Sequence, residues 1–266
     1  MTANERDVAV VIGASNVSRG FSRLVEVIGS HEISPLDLFV TAGHGRSYGV
    51  TSSIGVRSLP SILACGLWRD LESQLAGRFE RKILGMVTDV GNDLIYGYPP
   101  ETVAEWVREV VRRLSDRNAK VTMVRLPLAS LAKASPIQYM AIRSFFAPWL
   151  KLNFEEMKAA AQRLDSYLAS IANEFGASQI EQPGEWYGLD AIHIRRRQIH
   201  ELWHLGCQSW GLGFRGNSWT LRPGEKLALH AAGAYERSVL GIKLETPQPI
   251  LKFSPSTERD IRIWLH

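Results

Sequence analysis

The chain has few cysteines and no long apolar segment. Its 266 residues include two cysteines, Cys65 and Cys207, which is too few for a disulfide framework, and we expect both thiols to be buried. No apolar run reaches the roughly 20 residues that a membrane-spanning helix needs. The polar start, residues 1–7, lacks the basic and then apolar pattern of a signal peptide. The sequence therefore predicts a cytoplasmic protein with no membrane span.

The chain also lacks internal repeats, low-complexity linkers and a strong excess of charge. Its formal net charge is +4, with 22% charged and 45% hydrophobic residues, which is ordinary for a globular protein. The densest basic cluster is Arg195, Arg196 and Arg197. No interleaved aromatic residues or nucleic-acid motif accompany it, so we interpret it as solvated surface rather than a phosphate or nucleic-acid site. We expect no nucleic-acid partner.

The most regular feature of the sequence is an alternation of short apolar runs and helical patterns. Apolar runs occupy residues 8–12, 36–40, 83–87 and 121–126, with a shorter one near 179–181. This order predicts an α/β fold, a three-layer α/β/α sandwich around a parallel sheet of about five strands. We expect a single domain over residues 1–266 with a C-terminal extension from about residue 211. The extension should hold a helix around 226–240 and a hairpin of 250–253 with 261–265.

The first apolar run ends in a serine at the start of a helix. Residues 8–12 are followed by Gly13, Ala14 and Ser15, and a helical pattern begins near Val17. Open α/β folds place their sites at the carboxyl ends of the strands, and the first N–H groups of a helix stabilise negative charge. Ser15 is therefore a candidate nucleophile. The alternative is that Ser15 only caps the helix, because serine is a favoured N-cap residue.

Three further segments supply the groups that a nucleophilic serine requires. His193 can take the serine proton as a general base, and Asp190, three residues earlier, can orient its ring. The N–H of Ser15, a glycine N–H from the segment Thr41 to Gly49 and the side-chain amide of Asn92 can stabilise an oxyanion.

These residues, in this order, resemble the SGNH (GDSL-type) hydrolase family over about residues 8–210. Gly13-Ala14-Ser15-Asn16 is similar to its first block, Gly91-Asn92-Asp93 to its third, and Asp190-Ala191-Ile192-His193 to its last. Gly45 matches the glycine of the second block, although Gly43 is an alternative. Ala14 stands where the family usually has aspartate, and Val90 where the third block usually has glycine. The resemblance implies a flavodoxin-like sheet and metal-free hydrolysis of carboxylic esters of small molecules, with no cofactor.

Two other functions compete with the ester hydrolase. His200-Glu201-Leu202-Trp203-His204 has the pattern H-E-x-x-H, which on a helix places two histidines for zinc with the glutamate as general base. A catalytic zinc needs a third protein ligand, and Cys207 and Trp210 stand where the extended motif has glycine and histidine. The second alternative is a non-catalytic binding protein on the same fold.

One long irregular stretch stands apart from this pattern. Residues 127–152 are apolar and include Tyr139, Phe145, Phe146 and Trp149. We expect them to form a substrate wall or lid, and the alternatives are that their aromatic residues belong to the core or to a subunit contact. The sequence indicates neither the acyl group and its carrier nor the oligomeric state.

Overall fold

The computed structural model describes residues 6–33, 35–76, 81–137, 139–140, 144, 152–188, 191–253 and 260–266. The predicted orienting residue Asp190 lies outside these ranges, as do Phe145, Phe146 and Trp149.

The described residues contain eleven strands and eight α-helices. The strands are β1 (Asp7–Ile12), β2 (Leu36–Thr41), β3 (Ser52–Ile54), β4 (Arg57–Leu59), β5 (Ile83–Val87), β6 (Lys120–Val124), β7 (Ser178–Ile180), β8 (Glu236–Val239), β9 (Ile242–Glu245), β10 (Leu251–Phe253) and β11 (Ile261–Leu265). The helices are α1 (Ser15–Gly29), α2 (Leu67–Leu75), α3 (Asn92–Ile95), α4 (Pro100–Ser115), α5 (Leu128–Lys133), α6 (Phe154–Glu174), α7 (Ile199–Ser209) and α8 (Pro223–Ala231).

The central sheet has seven strands in the order β10-β11-β2-β1-β5-β6-β7. The five predicted strands are its β2, β1, β5, β6 and β7, which all run parallel. In β1, Val8 to Ile12 have no exposed surface, as expected for a strand covered on both faces. Because the strands are parallel, the loops after β1, β2, β5 and β6 all leave from one edge of the sheet.

Helices cover both faces of the sheet, so the predicted three-layer α/β/α fold is confirmed. One layer packs through apolar residues of α2, α4 and α6, such as Leu71, Val107 and Leu164. The other packs through α1, α7 and α8, with residues such as Phe21 and Leu202. None of the helices in the described ranges combines the length and apolar character of a membrane span.

The chain after residue 211 adds two strands to the central sheet, which raises the predicted count of about five to seven. Strand β11 lies parallel to β2, and β10 pairs antiparallel with β11, as the predicted hairpin partner. The predicted helix over 226–240 is too long, because α8 ends at Ala231 and residues 236–239 form β8. Pairing of β8 with β4 and β9, in a second sheet β3-β4-β8-β9, overrides the helical pattern there.

Two local predictions are confirmed. Asn153 and Glu156 form the expected capping box at the start of α6, with Asn153 Oδ1 accepting from the Glu156 N–H at 3.0 Å. Cys65 and Cys207 are free and buried.

Candidate active site

Ser15 lies at the first position of α1, and Gly13 and Ala14 form the turn that separates it from β1. Ser15 is 6% exposed. The turn is tight at Gly13, where a Cβ would lie 2.5 Å from Val17 Cγ2 and 2.7 Å from Thr88 Cγ2. Only glycine fits between the helix and the loop after β5. The turn therefore places Ser15 directly against that neighbouring loop.

The loop after β5 caps α1 through Asp89. Asp89 Oδ2 accepts hydrogen bonds from the N–H groups of Ala14, Asn16 and Val17 at 2.8, 2.9 and 3.3 Å. Ala14 is the N-cap residue, and no side chain of its own caps the helix. The alternative in which Ser15 is the N-cap is therefore wrong. Its hydroxyl is not used as the helix cap because the Asp89 carboxylate supplies this function.

Asn16 fixes the segment that carries His193. Its Nδ2 donates to Asp89 Oδ1 at 2.8 Å and to the carbonyl of Ile192 at 3.3 Å, and its Oδ1 accepts from the Ile194 N–H at 2.9 Å. The two residues that flank His193 are thus bound to the residue that follows Ser15. Because both bonds involve the backbone, they constrain the position of the His193 Cα relative to α1.

The structure brings four predicted site residues to one opening, which we call the central cavity. Its lining includes Ser15, Gly45, Asn92 and His193. His44 also lines it, although the sequence pointed to no role for this residue. Burial lowers the pKa of His44, and the charges of His193, Arg57 and Arg19 lower it further. His44 therefore favours the neutral form at this opening.

The two glycines proposed for the oxyanion site differ in their hydrogen bonds. The N–H of Gly43 donates to the carbonyl of Ala14 at 3.2 Å, so it is already used. Gly45 has φ +64°, lines the central cavity, and its carbonyl accepts from the Tyr96 hydroxyl. Asn92 Nδ2 donates to the carbonyl of Arg46 at 3.2 Å, which fixes the amide beside Gly45. This geometry favours Gly45 over Gly43 as a donor.

Asp93 holds the same glycine segment through two hydrogen bonds. It has no exposed surface, and it accepts hydrogen bonds from the Ser47 hydroxyl and, at 3.0 Å, from the Tyr48 N–H. Burial raises the pKa of Asp93 to about 6, although these two hydrogen bonds oppose the shift. The loop after β5 therefore uses one carboxylate, Asp89, to hold α1 and a second, Asp93, to hold the glycine segment.

Arg46 connects the glycine segment to the C-terminal strand. Its side chain is fully buried and donates to the carbonyls of Pro60 at 3.2 Å, Ala42 at 3.3 Å and His266. Burial lowers the pKa of this guanidinium. The region after residue 211 thus contributes to the placement of Gly45, even though it lies beyond the motifs.

Sequence reasoning did not identify Asp89, Asn16, Asp93 or Arg46 as parts of the site. A partial signal existed for two of them. Asp89 directly follows the buried run 83–87, and Asn16 follows the candidate nucleophile. For the others, the partner is set by the tertiary fold.

A second, larger cavity adjoins the central cavity, and we call it the apolar cavity. Ser15 and Asn92 line both cavities. Its walls are mostly apolar, with side chains from the end of β6, from α5 and from α6, such as Leu126, Leu131, Phe154, Met157 and Ala161. The described part of the 127–152 stretch contributes Pro127, Leu131, Ala134 and Tyr139 to this wall.

The H-E-x-x-H segment begins at the second residue of α7, away from the central cavity. His200 Nε2 lies 3.2 Å from Glu201 Oε1, and the ring centroids of His200 and His204 are 6.1 Å apart. Within the described part of the chain, no three His, Cys, Asp or Glu side chains form a group that could hold a metal. The third ligand required by the zinc alternative is therefore not found among these residues.

Comparison with known proteins gives structural similarities at low sequence identity. No protein-family model and no curated protein matches the chain. The chain is similar to the inhibitor-bound aryl esterase of M. smegmatis, with 15% identity and a TM-score of 0.46, over 75% of this chain and 97% of that one. It is also similar to the psychrotrophic esterase EstA of Pseudoalteromonas sp. inhibited by monoethylphosphonate, with 12% identity and a TM-score of 0.42, over 75% and 94%.

A GDSL-like lipase from Bacteroides thetaiotaomicron has 9% identity and a TM-score of 0.48, over 77% of this chain and 88% of that one. These similarities concern the course of the chain. The chemistry proposed for this protein rests on its own side chains around Ser15.

Proposed function

We propose that the protein is a serine-dependent hydrolase of carboxylic esters. The observation that carries this proposal is the central cavity, where Ser15 and His193 lie with the candidate donors Gly45 and Asn92. A serine near a histidine and preorganised donors is the arrangement that acyl transfer requires. Asp190 is proposed as the residue that orients His193, from the sequence spacing alone.

In the first half of the reaction, Ser15 Oγ attacks the ester carbonyl carbon while His193 takes the hydroxyl proton. The carbonyl oxygen becomes an oxyanion, which accepts hydrogen bonds from the Ser15 and Gly45 N–H groups and the Asn92 amide. One such donor typically contributes roughly 3–4 kcal/mol to lowering the barrier. The carbon–oxygen bond to the leaving group then breaks, and the proton on His193 passes to the leaving alkoxide.

In the second half, water attacks the acyl–serine ester. His193 takes a proton from this water, the carbon–Oγ bond breaks, and Ser15 recovers its proton as the acid departs. No cofactor is needed in either half. Since the apolar cavity also contacts Ser15, we place the acyl chain there, where its burial contributes roughly 0.8 kcal/mol per methylene. We propose acyl groups of small or medium length as substrates.

The test is hydrolysis of p-nitrophenyl butanoate by Ser15→Ala, with Ser170→Ala as the matched control on the exposed face of α6. Ser15→Ala should lose activity by at least about 10⁴-fold, with an unchanged melting temperature, while Ser170→Ala keeps full activity. A fluorophosphonate should form a covalent adduct on Ser15 and on no peptide of the Ser15→Ala variant. Full activity of Ser15→Ala would refute the proposal.

A further inference from the structure

A polar groove lies along α1 on the side of the sheet opposite to the apolar cavity. We call it the basic groove. It has a volume of about 850 Å³ and lies between α1, the segment that leads into α7, and the chain before α8. Its cationic or potentially cationic side chains are Arg23, Arg196, Arg197, His200 and His204. Ser218 and Thr220 add hydroxyl groups to the same lining.

Where the structure describes the chain, carboxylates pair with some cations of this groove but not with Arg196 and Arg197. Glu201 Oε1 lies 3.2 Å from His200 Nε2. Glu26 accepts from Arg23 Nη1 at 2.8 Å and from Lys226 Nζ at 2.8 Å, so two cations share one carboxylate. Arg196 and Arg197 are exposed and form no ion pair within the described part of the chain. On α4, by contrast, Arg112 pairs with both Glu109 and Asp116. Arg196 and Arg197 therefore carry positive charge in the groove that no carboxylate of the described residues compensates.

The basic groove and the central cavity share no lining residue, but two segments of the chain, α1 and residues 192–200, contribute to both. On α1, Ser15, Arg19 and Arg23 are spaced by four residues, so they lie on one face of the helix. On the facing segment, His193 lines the central cavity. Arg196 and His200, three and seven residues later, line the groove. The hydrogen bonds of Asn16 to the backbone of Ile192 and Ile194 hold the two segments together.

Arg19 lies between the two openings. Its Nε is buried and has no hydrogen-bond partner in the described residues. Eight residues of helix separate Ser15 from Arg23, which corresponds to about 12 Å at 1.5 Å per residue. A ligand that reacts at Ser15 and reaches the groove must therefore span about this length.

We propose that the basic groove binds a phosphate group on the leaving-group side of the substrate, so the protein acts on esters whose alcohol carries a distal phosphate. This rests on the proposed ester hydrolysis at Ser15. Paired guanidinium groups bind phosphate oxygens with bidentate geometry, and serine and threonine hydroxyls add donors. The acyl group then occupies the apolar cavity and the phosphate occupies the groove, with the ester bond at Ser15 between them.

The first experiment measures binding without turnover. Inorganic pyrophosphate is titrated calorimetrically into Ser15→Ala protein, into the same protein with Arg196→Ala and Arg197→Ala, and into it with Arg163→Ala. Arg163 is an exposed arginine of α6, on the other face of the sheet. We expect the paired substitution to weaken binding by about tenfold or more and Arg163→Ala to leave it unchanged. Equal affinity in all three proteins would overturn the proposal.

The second experiment measures turnover with two matched esters. One is the butanoyl ester of 10-hydroxydecyl phosphate, and the other is the monobutanoyl ester of 1,10-decanediol, which lacks the phosphate. Wild-type protein should show a higher kcat/KM for the phosphorylated ester through a lower KM, and the paired arginine variant should lose this preference. Equal kcat/KM values would overturn the proposal.

The two experiments separate this proposal from the proposed function. Pyrophosphate binding that depends on Arg196 and Arg197, in a protein that hydrolyses no ester, would refute the hydrolase and support the phosphate site. Ester hydrolysis with no preference for phosphate would do the reverse. Binding to anionic phospholipid vesicles without binding to pyrophosphate would also overturn the proposal, because the groove would then recognise a surface.

Discussion

The apolar cavity and the basic groove have opposite chemical character. The apolar cavity is formed on the α4 and α6 side of the sheet by residues such as Leu131 and Met157. The basic groove lies on the α1 and α7 side and presents Arg196 and Arg197. A phosphate would lose its hydration without compensation in the first, and an acyl chain would bury little apolar surface in the second. If Ser15 is the nucleophile, as proposed, the two proposed ligand groups would bind on opposite sides of the sheet.

The largest effect is expected from a residue that lines both the central cavity and the apolar cavity. Asn92 lines the central cavity, and if its amide donates to the oxyanion, the interaction is made mainly in the transition state. Asn92→Ala should lower kcat by roughly 10²–10³ with little change in KM. The loss should be the same for short and long acyl groups and for esters with or without phosphate.

The melting temperature of Asn92→Ala gives the control. The substitution also removes the hydrogen bond to the Arg46 carbonyl, so a small loss of stability is expected. Asn92→Asp should be at least as damaging to turnover, because a carboxylate repels an oxyanion. A lower melting temperature with normal turnover would remove Asn92 from the oxyanion site and leave the backbone donors.

Asp93 allows a test of the hydrogen bonds that hold the glycine segment beside Ser15. Its pKa is raised by burial from 3.8 to about 6, so the folded protein binds this proton more tightly than the unfolded chain. The sign follows from linkage: the stabilisation is complete below about pH 3.8 and is lost as the pH rises through about 6. A shift of this size corresponds to a few kcal/mol, on the order of 3.

Asp93→Asn removes this titration. The stability of the variant relative to wild-type should therefore fall as the pH is lowered from 7.5 to 4, and this is measured by urea unfolding at several pH values. The Asn side chain can still accept from the Tyr48 N–H and face the Ser47 hydroxyl. A difference between the two proteins that is constant with pH would show that Asp93 does not titrate in this range.

A smaller effect is expected from filling the apolar cavity. Ala161 is buried on α6 and lines the cavity. Ala161→Leu should lower kcat/KM for octanoyl esters by about tenfold, roughly the effect of one or two displaced methylenes, and leave acetyl esters unchanged. Ala159→Leu, at an exposed position on the same helix, is the matched control. Ala134→Phe fills the same cavity from the loop after α5 if Ala161→Leu does not fold.

The outcome of the Ala161→Leu test bears directly on the comparison. Equal losses for octanoyl and acetyl esters would indicate a general distortion and would remove the acyl chain from this cavity. A loss confined to octanoyl esters would support the placement of the acyl chain in the apolar cavity. The phosphate preference assigned to the groove should remain unchanged in the same variant.

The sequence predicted the parts of the molecule whose signal is local. Buried parallel strands read as continuous apolar runs, so five strands of the sheet and the edge at which Ser15, Asn92 and His193 meet could be placed. The choice of Gly45 came from a resemblance, and the role of Asp190 came from its spacing to His193. Of these, Asp190 lies outside the described residues and remains a prediction.

The missed parts depend on partners that are distant in the sequence. Asp89 caps a helix 73 residues away, with φ +58° at a non-glycine position, and nothing in its neighbourhood in the sequence indicates this. The strands β3, β4, β8 and β9 are three or four residues long, too short for an alternation to stand out. Arg196 and Arg197 look like ordinary surface charges until the fold places them beside α1.

The smallest effect is predicted for Glu201→Gln, and this variant distinguishes the serine mechanism from the zinc alternative. In the zinc alternative, Glu201 is the general base, and its loss should abolish hydrolysis. In the serine mechanism, Glu201 only pairs with His200 at a surface where both side chains are about half exposed, at 51% and 43%. Exposed pairs of this kind contribute little to stability, typically below about 1 kcal/mol.

We therefore expect the kcat for p-nitrophenyl butanoate and the melting temperature of Glu201→Gln to match those of wild-type. Treatment with a strong chelator should also leave the rate unchanged. Loss of activity in Glu201→Gln, together with stoichiometric zinc that the chelator removes, would make the H-E-x-x-H segment the catalytic centre and reduce the basic groove to its surroundings.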